Sequence, residues 1–242
     1  AFARLSGKER RGYRKSITNI FSEITLEKFP EEGEEVDYPL SCQKRDYRIY
    51  IKYINIEGLI ENSELLEAAP DSGACLYAVY LSDETRLNEY IRRYEDETMV
   101  TGLIYLDNYE EALESVEEVR RSLLTALLDR KINKYFNEID GLVKKFEKDK
   151  YLLVMRTGSL KKLKEMKFSI LQEVKTVNIG NEMAVTISIG IGEGSGSYAK
   201  NSEYARIAID LALGRGGDQV VIKEKEKISY FGGKSQAVEK ST

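Results

Sequence analysis

A chain of 242 residues is long enough for one large domain or two small ones, each with a core of its own. With 42% hydrophobic and 32% charged residues it has the composition of a soluble globular protein, and a net charge of -4 offers no basic excess for nucleic acid. The absence of histidine excludes Ser-His-Asp and Cys-His catalysis and any histidine-held metal or haem, which leaves carboxylates, lysines, tyrosines and backbone groups for chemistry.

The two cysteines, Cys42 and Cys75, form no CxxC pair and give neither a disulfide framework nor zinc spacing, so a reducing compartment is expected. No apolar run reaches the roughly 18 residues of a membrane span, and no signal peptide is visible. The first residue is Ala1 rather than methionine, which suggests an excised or processed piece.

Residues 1–82 hold all three prolines, Pro30, Pro39 and Pro70, and an acidic turn over Glu31–Glu35. Ser16–Ile24 has the pattern of a short helix. Arg48–Ile56 and Ala74–Leu81 have the pattern of strands, and Glu57–Ala69 is open between loop and helix. Residues 83–97 then predict one helix, with Leu87, Tyr90, Ile91 and Tyr94 at i, i+3, i+4 and i+7. Two readings suit that stripe: a helix lying on its own domain, or a connector that pairs with its copy in a homodimer.

The second half is more regular. Met99–Leu106 predicts a buried strand. Tyr109–Tyr135 predicts one long helix with Leu113, Val116, Val119, Leu123, Ala126 and Leu127 inward. Two strands follow, Leu142–Phe146 and Tyr151–Arg156, around the polar turn Glu147–Lys150. Ser159–Lys175 predicts a helix with Leu160, Leu163, Met166, Ile170 and Val174 inside. Ala184–Ile191 alternates, with Val185, Ile187 and Ile189 on one face and Thr186 and Ser188 on the other. Ser202–Gly214 is helical and stops at glycines, and Val220–Lys223 is a last strand. The charged run Lys223–Lys227 suits a solvated face or linker. The order is βαββαβ followed by αβ, an α+β arrangement of the ferredoxin-like kind found in nucleotidyl-cyclase palms. Topology alone fixes no function.

Two glycine-rich stretches carry no phosphate-binding pattern. Gly232-Gly233-Lys234-Ser235 has Ile228 where a P-loop needs glycine, and in Gly214-Arg215-Gly216-Gly217 the last position of GxGxxG is Gln219. The strand-end carboxylates are better candidates. Asp107 closes the first strand of the palm-like core and Asp149 lies in the hairpin between the second and third. A βαββαβ fold brings these places side by side, where a palm holds magnesium on hard oxygen ligands. Ordinary turn aspartates would look the same.

The segments VTISIGIGEG (Val185–Gly194) and EYARIAIDLALGRGGDQVVIK (Glu203–Lys223) resemble the C-terminal half of GGDEF domains. With YFGGKSQAVEK (Tyr230–Lys240) and GLIYLDNYEEALES (Gly102–Ser115), they resemble in particular the GdpP/YybT-type cyclic-di-AMP phosphodiesterases. The first half resembles the later part of a PAS domain, through AFARLSGKERRGYRKSITNIF, RIYIKYI and ACLYAVYLSDET. The resemblance implies an N-terminally truncated PAS-like sensor over 1–82, a connecting helix over 83–97, a GGDEF-like domain over 98–225 and a linker over 226–242.

Measured against active GGDEF cyclases, five positions depart. In Tyr105-Leu106-Asp107-Asn108-Tyr109-Glu110, Tyr105 stands for the first metal aspartate of D-x-D-x-F-K and Glu110 for the phosphate-binding lysine. In Glu147-Lys148-Asp149-Lys150-Tyr151 both glycines of the GGDEF turn are gone and Lys150 stands for the metal-binding glutamate. Diguanylate cyclase activity is therefore expected to be absent. Asp107, Asn108, Asp149, Lys150 and Arg215 are the candidate nucleotide contacts, with Asp107 and Asp149 as candidate metal ligands for Mg-ATP. The resemblance further implies a parent protein with two membrane helices, this region on the cytoplasmic side of a bacterial membrane, and a DHH/DHHA1 partner domain. That partner domain hydrolyses cyclic-di-AMP to pApA with manganese. It also implies haem in the PAS part, which here could not be held by histidine, and weak ATPase activity in the GGDEF part.

Overall fold

The computed structural model describes residues 17, 21, 23–54 and 76–233. The chain divides into two compact units, Ala1–Arg92 and Arg93–Thr242. Most of the helix expected over 16–24, the Glu57–Ala69 segment, Cys75 and residues 234–242 lie outside the described residues.

The first unit is built on a three-stranded antiparallel sheet, β1 (Glu35–Cys42), β2 (Arg45–Ile54) and β3 (Leu76–Asp83), in that order. Alternation puts Leu40, Tyr47, Ile49 and Ile51 on one face, where they are buried with Phe21 and Ile24. Strand β1 was not foreseen. Its outward positions are Glu35, Asp37, Pro39 and Ser41, and an edge strand tolerates the proline because one side of its backbone needs no ladder partner. Its hairpin to β2 turns on Gln43 and Lys44, both at positive φ (50° and 62°), without the Asn-Gly pair that usually announces such a turn.

Helix α1 (Thr85–Glu97) starts from a side-chain cap. The Asp83 carboxylate accepts the Thr85 N–H at 3.1 Å and the Thr85 hydroxyl at 2.6 Å, satisfying one of the free donors of a helix start. Asp46 ties the helix to β2. Its N–H donates to Thr85 Oγ1 at 3.0 Å, and its carboxylate accepts from Ser41 at 2.8 Å and Arg92 at 2.6 Å.

The second unit carries a six-stranded sheet in the order β5-β6-β4-β7-β8-β9. The strands are β4 (Met99–Leu106), β5 (Leu142–Lys145), β6 (Lys150–Arg156), β7 (Ile187–Glu193), β8 (Gln219–Glu224) and β9 (Lys227–Gly232). The central β4 is antiparallel to both neighbours, β7 and β8 are parallel, and β8 and β9 form a hairpin. One face of the sheet, with Ile104, Leu153, Ile189 and Val220, packs on α3 (Glu118–Asn137), α4 (Thr157–Glu165) and α5 (Ile170–Lys175) to make the main core.

The other face is covered over β7 by α6 (Tyr198–Gly214). The approach is backbone to backbone. A Cβ at Gly190 would lie 2.3 Å from the Ile209 nitrogen, and one at Gly192 would lie 1.9 Å from the Asn201 oxygen. Thr186 and Ser188 share this face as expected, yet Ser188 is fully buried under the helix and its hydroxyl has no partner.

Three expectations are corrected. The long helix over 109–135 is two, α2 (Tyr109–Glu114) and α3, separated at 115–117. The break resets the helical phase, so α3 buries Leu124, Leu128, Ile132, Tyr135 and Phe136, while Val119 is 90% exposed and Leu123 51% exposed. The helix over 159–175 is likewise two, α4 and α5. Lys167 and Phe168 between them take left-handed φ values of 50° and 52°, which turns Phe168 into the core and leaves Met166 outside. Residues 227–232, expected within a linker, pair with β8 as strand β9, and Lys225 (φ 50°) makes the turn.

Replacing Ser188 with alanine removes an orphaned buried hydroxyl and should raise stability by about 1 kcal/mol, whereas Gly190→Ala should lower it by about 3 kcal/mol or more; urea unfolding measures both. At the start of α1, the Ser41 hydroxyl, then Arg92, hold the Asp46 pKa below 3.8, and the hydroxyl and N–H of Thr85 do the same for Asp83. Lowered carboxylate pKa values stabilise the folded chain above pH 3.8, and this contribution is lost as the pH falls through the folded values. Carboxyl NMR titration should place both midpoints under 3.8.

Candidate functional site at the palm strand ends

The sheet register brings the sequence candidates together at the end of β4. Tyr105 pairs directly with Lys150, and the Leu106 N–H donates to the Asp149 carbonyl at 2.9 Å. The β5–β6 hairpin therefore lies against the strand that Asp107 follows. Lys150 Nζ sits 5.2 Å from the Tyr105 ring centroid and donates to Glu147 Oε2 at 2.6 Å. The Glu147 hydrogen bond raises the Lys150 pKa, so the ammonium is held charged. The result is a cation on an aromatic face with its own counter-ion.

Asp107 does not present a free carboxylate to this pair. Its Oδ2 accepts from the Thr186 hydroxyl at 3.0 Å and from the Asp218 N–H at 2.9 Å, and its Oδ1 is buried without a partner. The turn that reaches it needs glycine: Gly217 has a φ of +73°, and a Cβ there would lie 2.8 Å from the Asp107 carboxyl carbon. Asp218 is in turn bound by Lys175 at 2.5 Å. Asp107 thus pins the turn after α6 to the end of β4.

Asn108 works in the same joint. Its amide donates to the Ala184 carbonyl at 2.8 Å and accepts the Thr186 N–H at 2.9 Å, continuing strand pairing where β4 has ended. Arg215, beyond the end of α6, lies 4.4 Å from the Tyr230 ring centroid. Glu110 sits exposed in the first turn of α2. Among the described residues, no group of three or more Asp, Glu, Cys or His side chains converges as a metal ligand set. The residues at the pair do not fit magnesium: an ammonium points where carboxylate oxygens would be required, and Asp107 is engaged elsewhere.

One cluster escaped sequence reasoning. Asp129 on α3 accepts from Lys145 at 2.9 Å and from the Tyr151 hydroxyl at 2.5 Å, and Lys145 lies 5.3 Å from the Tyr151 ring centroid. Burial and then the Asp129 hydrogen bond push the Tyr151 pKa up, so the phenol stays a donor at all ordinary pH. The cluster fastens the hairpin that carries Lys150. Its members are 16 and 22 residues apart in sequence, and no local pattern marks them.

Residues 104–230 match the family model described as cyclic-di-AMP phosphodiesterase GdpP-like, GGDEF domain. The cyclic-di-AMP phosphodiesterase GdpP of Geobacillus thermodenitrificans is 37% identical over 165 residues, PdeA of Listeria monocytogenes 34% and GdpP of Bacillus subtilis 33%. Each alignment covers 68% of this chain and 25% of the relative, so the match spans a quarter of the length of these curated relatives. The active GGEEF domain of a diguanylate cyclase from Vibrio cholerae has a TM-score of 0.45 at 12% identity, covering 57% of this chain and 92% of that one.

Asp107→Ala should cost about 1–3 kcal/mol, because the Asp218 N–H and the Thr186 hydroxyl lose their acceptor. Thermal unfolding checks this, and a variant as stable as the parent would show that the contact between β4 and the turn contributes nothing.

Proposed function

The chain belongs to the GdpP-like GGDEF family of cyclic-di-AMP phosphodiesterases, and from that premise we propose that it is a control segment of such an enzyme whose own palm has lost cyclase chemistry. The observation that carries this reading is the register pairing of Tyr105 with Lys150. Those two positions correspond to the metal aspartate and glutamate of active GGDEF cyclases. A phenol ring and an ammonium neutralised by Glu147 supply no anionic oxygen to a divalent ion, and the ammonium repels one. Glu110 at the phosphate-binding lysine position adds a charge of the wrong sign for a triphosphate.

The first unit is read as the PAS-like sensor. Support comes from its antiparallel three-stranded sheet running into a helix capped by Asp83 and Thr85 of the D-E-T sequence. Hydrolysis of cyclic-di-AMP is assigned to a DHH-type region outside this chain, consistent with a match covering 25% of the relatives' length. On the same reading the chain is the cytoplasmic part of a membrane-bound parent; no described helix is long and apolar enough to cross a membrane. The Mg-ATP reading has less support, because Lys150 is taken by Glu147 and Asp107 by the turn at Asp218.

The purified chain should make no cyclic dinucleotide from GTP with magnesium or manganese, and should leave cyclic-di-AMP intact; turnover of either would overturn the proposal. The double substitution Tyr105→Asp, Lys150→Glu places two carboxylates at one register pair and should give calorimetrically measurable manganese binding where the parent chain gives none. In the full-length protein, deletion of residues 1–97 should change the rate of cyclic-di-AMP hydrolysis, and an unchanged rate would remove the control role.

A further inference from the structure

Helix α6 covers the outer face of the six-stranded sheet over β7 and leaves the part over β6 and β5 open. Strand alternation turns Leu103 of β4, Leu152 and Val154 of β6 and Leu142 of β5 to that side, away from the main core. The register sets Leu103 beside Leu152 and Val154 beside Leu142, which makes one aliphatic floor. None of the four packs against an apolar cluster among the described residues. Leu142 is 65% exposed and the other three are partly exposed. The border of the floor is basic. Lys144 lies on the free edge, Lys150 at one end and Arg156 at the other, and neither β5 nor β6 turns a carboxylate to this side.

The open part has the width of a helix. Strands lie about 4.8 Å apart, and β6 is two strands from β7, so a helix over β6 would run about 9.6 Å from α6. Neighbouring helices pack roughly 8–10 Å apart, so such a helix would touch α6 and the floor together. The α6 wall is basic as well. At about 100° per residue, Tyr204 and Arg206 fall on opposite sides of Ala205, which faces Gly192. Tyr204 lies toward β8, where Lys223 sits 5.0 Å from its ring centroid, so the exposed Arg206 stands toward β4.

We infer that this groove docks an amphipathic helix of a partner protein whose apolar stripe is flanked by carboxylates. The stripe rests on Leu103, Leu152 and Val154, and the carboxylates of its two flanks meet Lys144 and Arg206. Lys150 and Arg156 already have Glu147 and Asp140 as counter-ions, whereas Lys144 and Arg206 form no ion pair among the described residues. These two cations therefore set the charge of the partner. A second copy laid on this face would oppose cation to cation. A bilayer is flat, and α6 stands about 10 Å above the sheet and holds such a surface off the floor. The seven residues of β6 span about 23 Å, the length of a helix of about 15 residues.

The probe is a synthetic helix of about 15 residues, with leucines at i, i+3, i+4 and i+7 spacing and glutamates on both flanks. Its fluorescence anisotropy against the full chain should give a dissociation constant on the order of 10–100 µM, the range of a small interface. The same helix with lysine in place of every glutamate should bind roughly tenfold more weakly or worse. Leu152→Glu should weaken the acidic helix by a similar factor, as should Lys144→Glu combined with Arg206→Glu, while Val119→Glu on α3 should leave binding unchanged. Lys144 and Arg206 are exposed, so their variant separates lost docking from lost folding, with circular dichroism as the check. Absence of binding up to millimolar chain would overturn the inference. So would binding indifferent to Leu152→Glu, or equal affinity for the lysine helix. Co-sedimentation with phosphatidylglycerol vesicles, or a concentration-dependent dimer, either one abolished by Leu152→Glu, would give the face to a bilayer or to a second copy and overturn it too.

Discussion

The second unit depends on one close contact, the seating of α6 directly on the backbone of β7. Side chains normally hold a helix off a sheet, and here Gly190 and Gly192 remove them on the sheet side while Ala205 and Ala208 keep the helix side small. The helix is drawn down onto the sheet, and its axis is fixed by two backbone approaches rather than by interdigitating side chains. Its C-terminal turn then arrives where Gly217 and Asp218 can meet the end of β4. The capture of Asp107 by the Asp218 N–H follows from that arrival. A single methyl group at position 190 would lift the helix and withdraw the turn.

The palm-end chemistry is settled by neighbours as much as by identities. Tyr105 and Lys150 face each other because β4 and β6 are antiparallel in that register. Glu147, three residues before Lys150, closes the charge. The hairpin bearing both residues is anchored through Asp129, Lys145 and Tyr151 to the helix beneath. The end of the sheet thus holds a short chain of compensating charges, Lys150 with Glu147 and Lys145 with Asp129.

Much of this was legible in the sequence where periodicity and motif coincide. The alternation of Val185–Ile191 places the glycines and Ser188 on one face, and the positions of Tyr105, Glu110 and Lys150 within their motifs identify what each replaces. Phase was not legible. Nothing in Ser115–Glu117 is a strong helix breaker, yet those residues interrupt the helix and shift the buried stripe to Leu124, Leu128 and Ile132. Strands β1 and β9 were hidden because β1 carries a proline and both hairpins turn on Lys44 and Lys225 rather than on glycine. Contacts between distant positions were invisible for a simpler reason: Asp107 and Asp218 are 111 residues apart, and no local rule joins them.

A bound metal has an occupancy, and a protein that folds around one inherits the concentration of that ion as a term in its stability. Lys150 is a cation tethered by its own backbone, so its occupancy is fixed at one. The charge at the end of the palm, paired with Glu147, can neither dissociate nor be chelated.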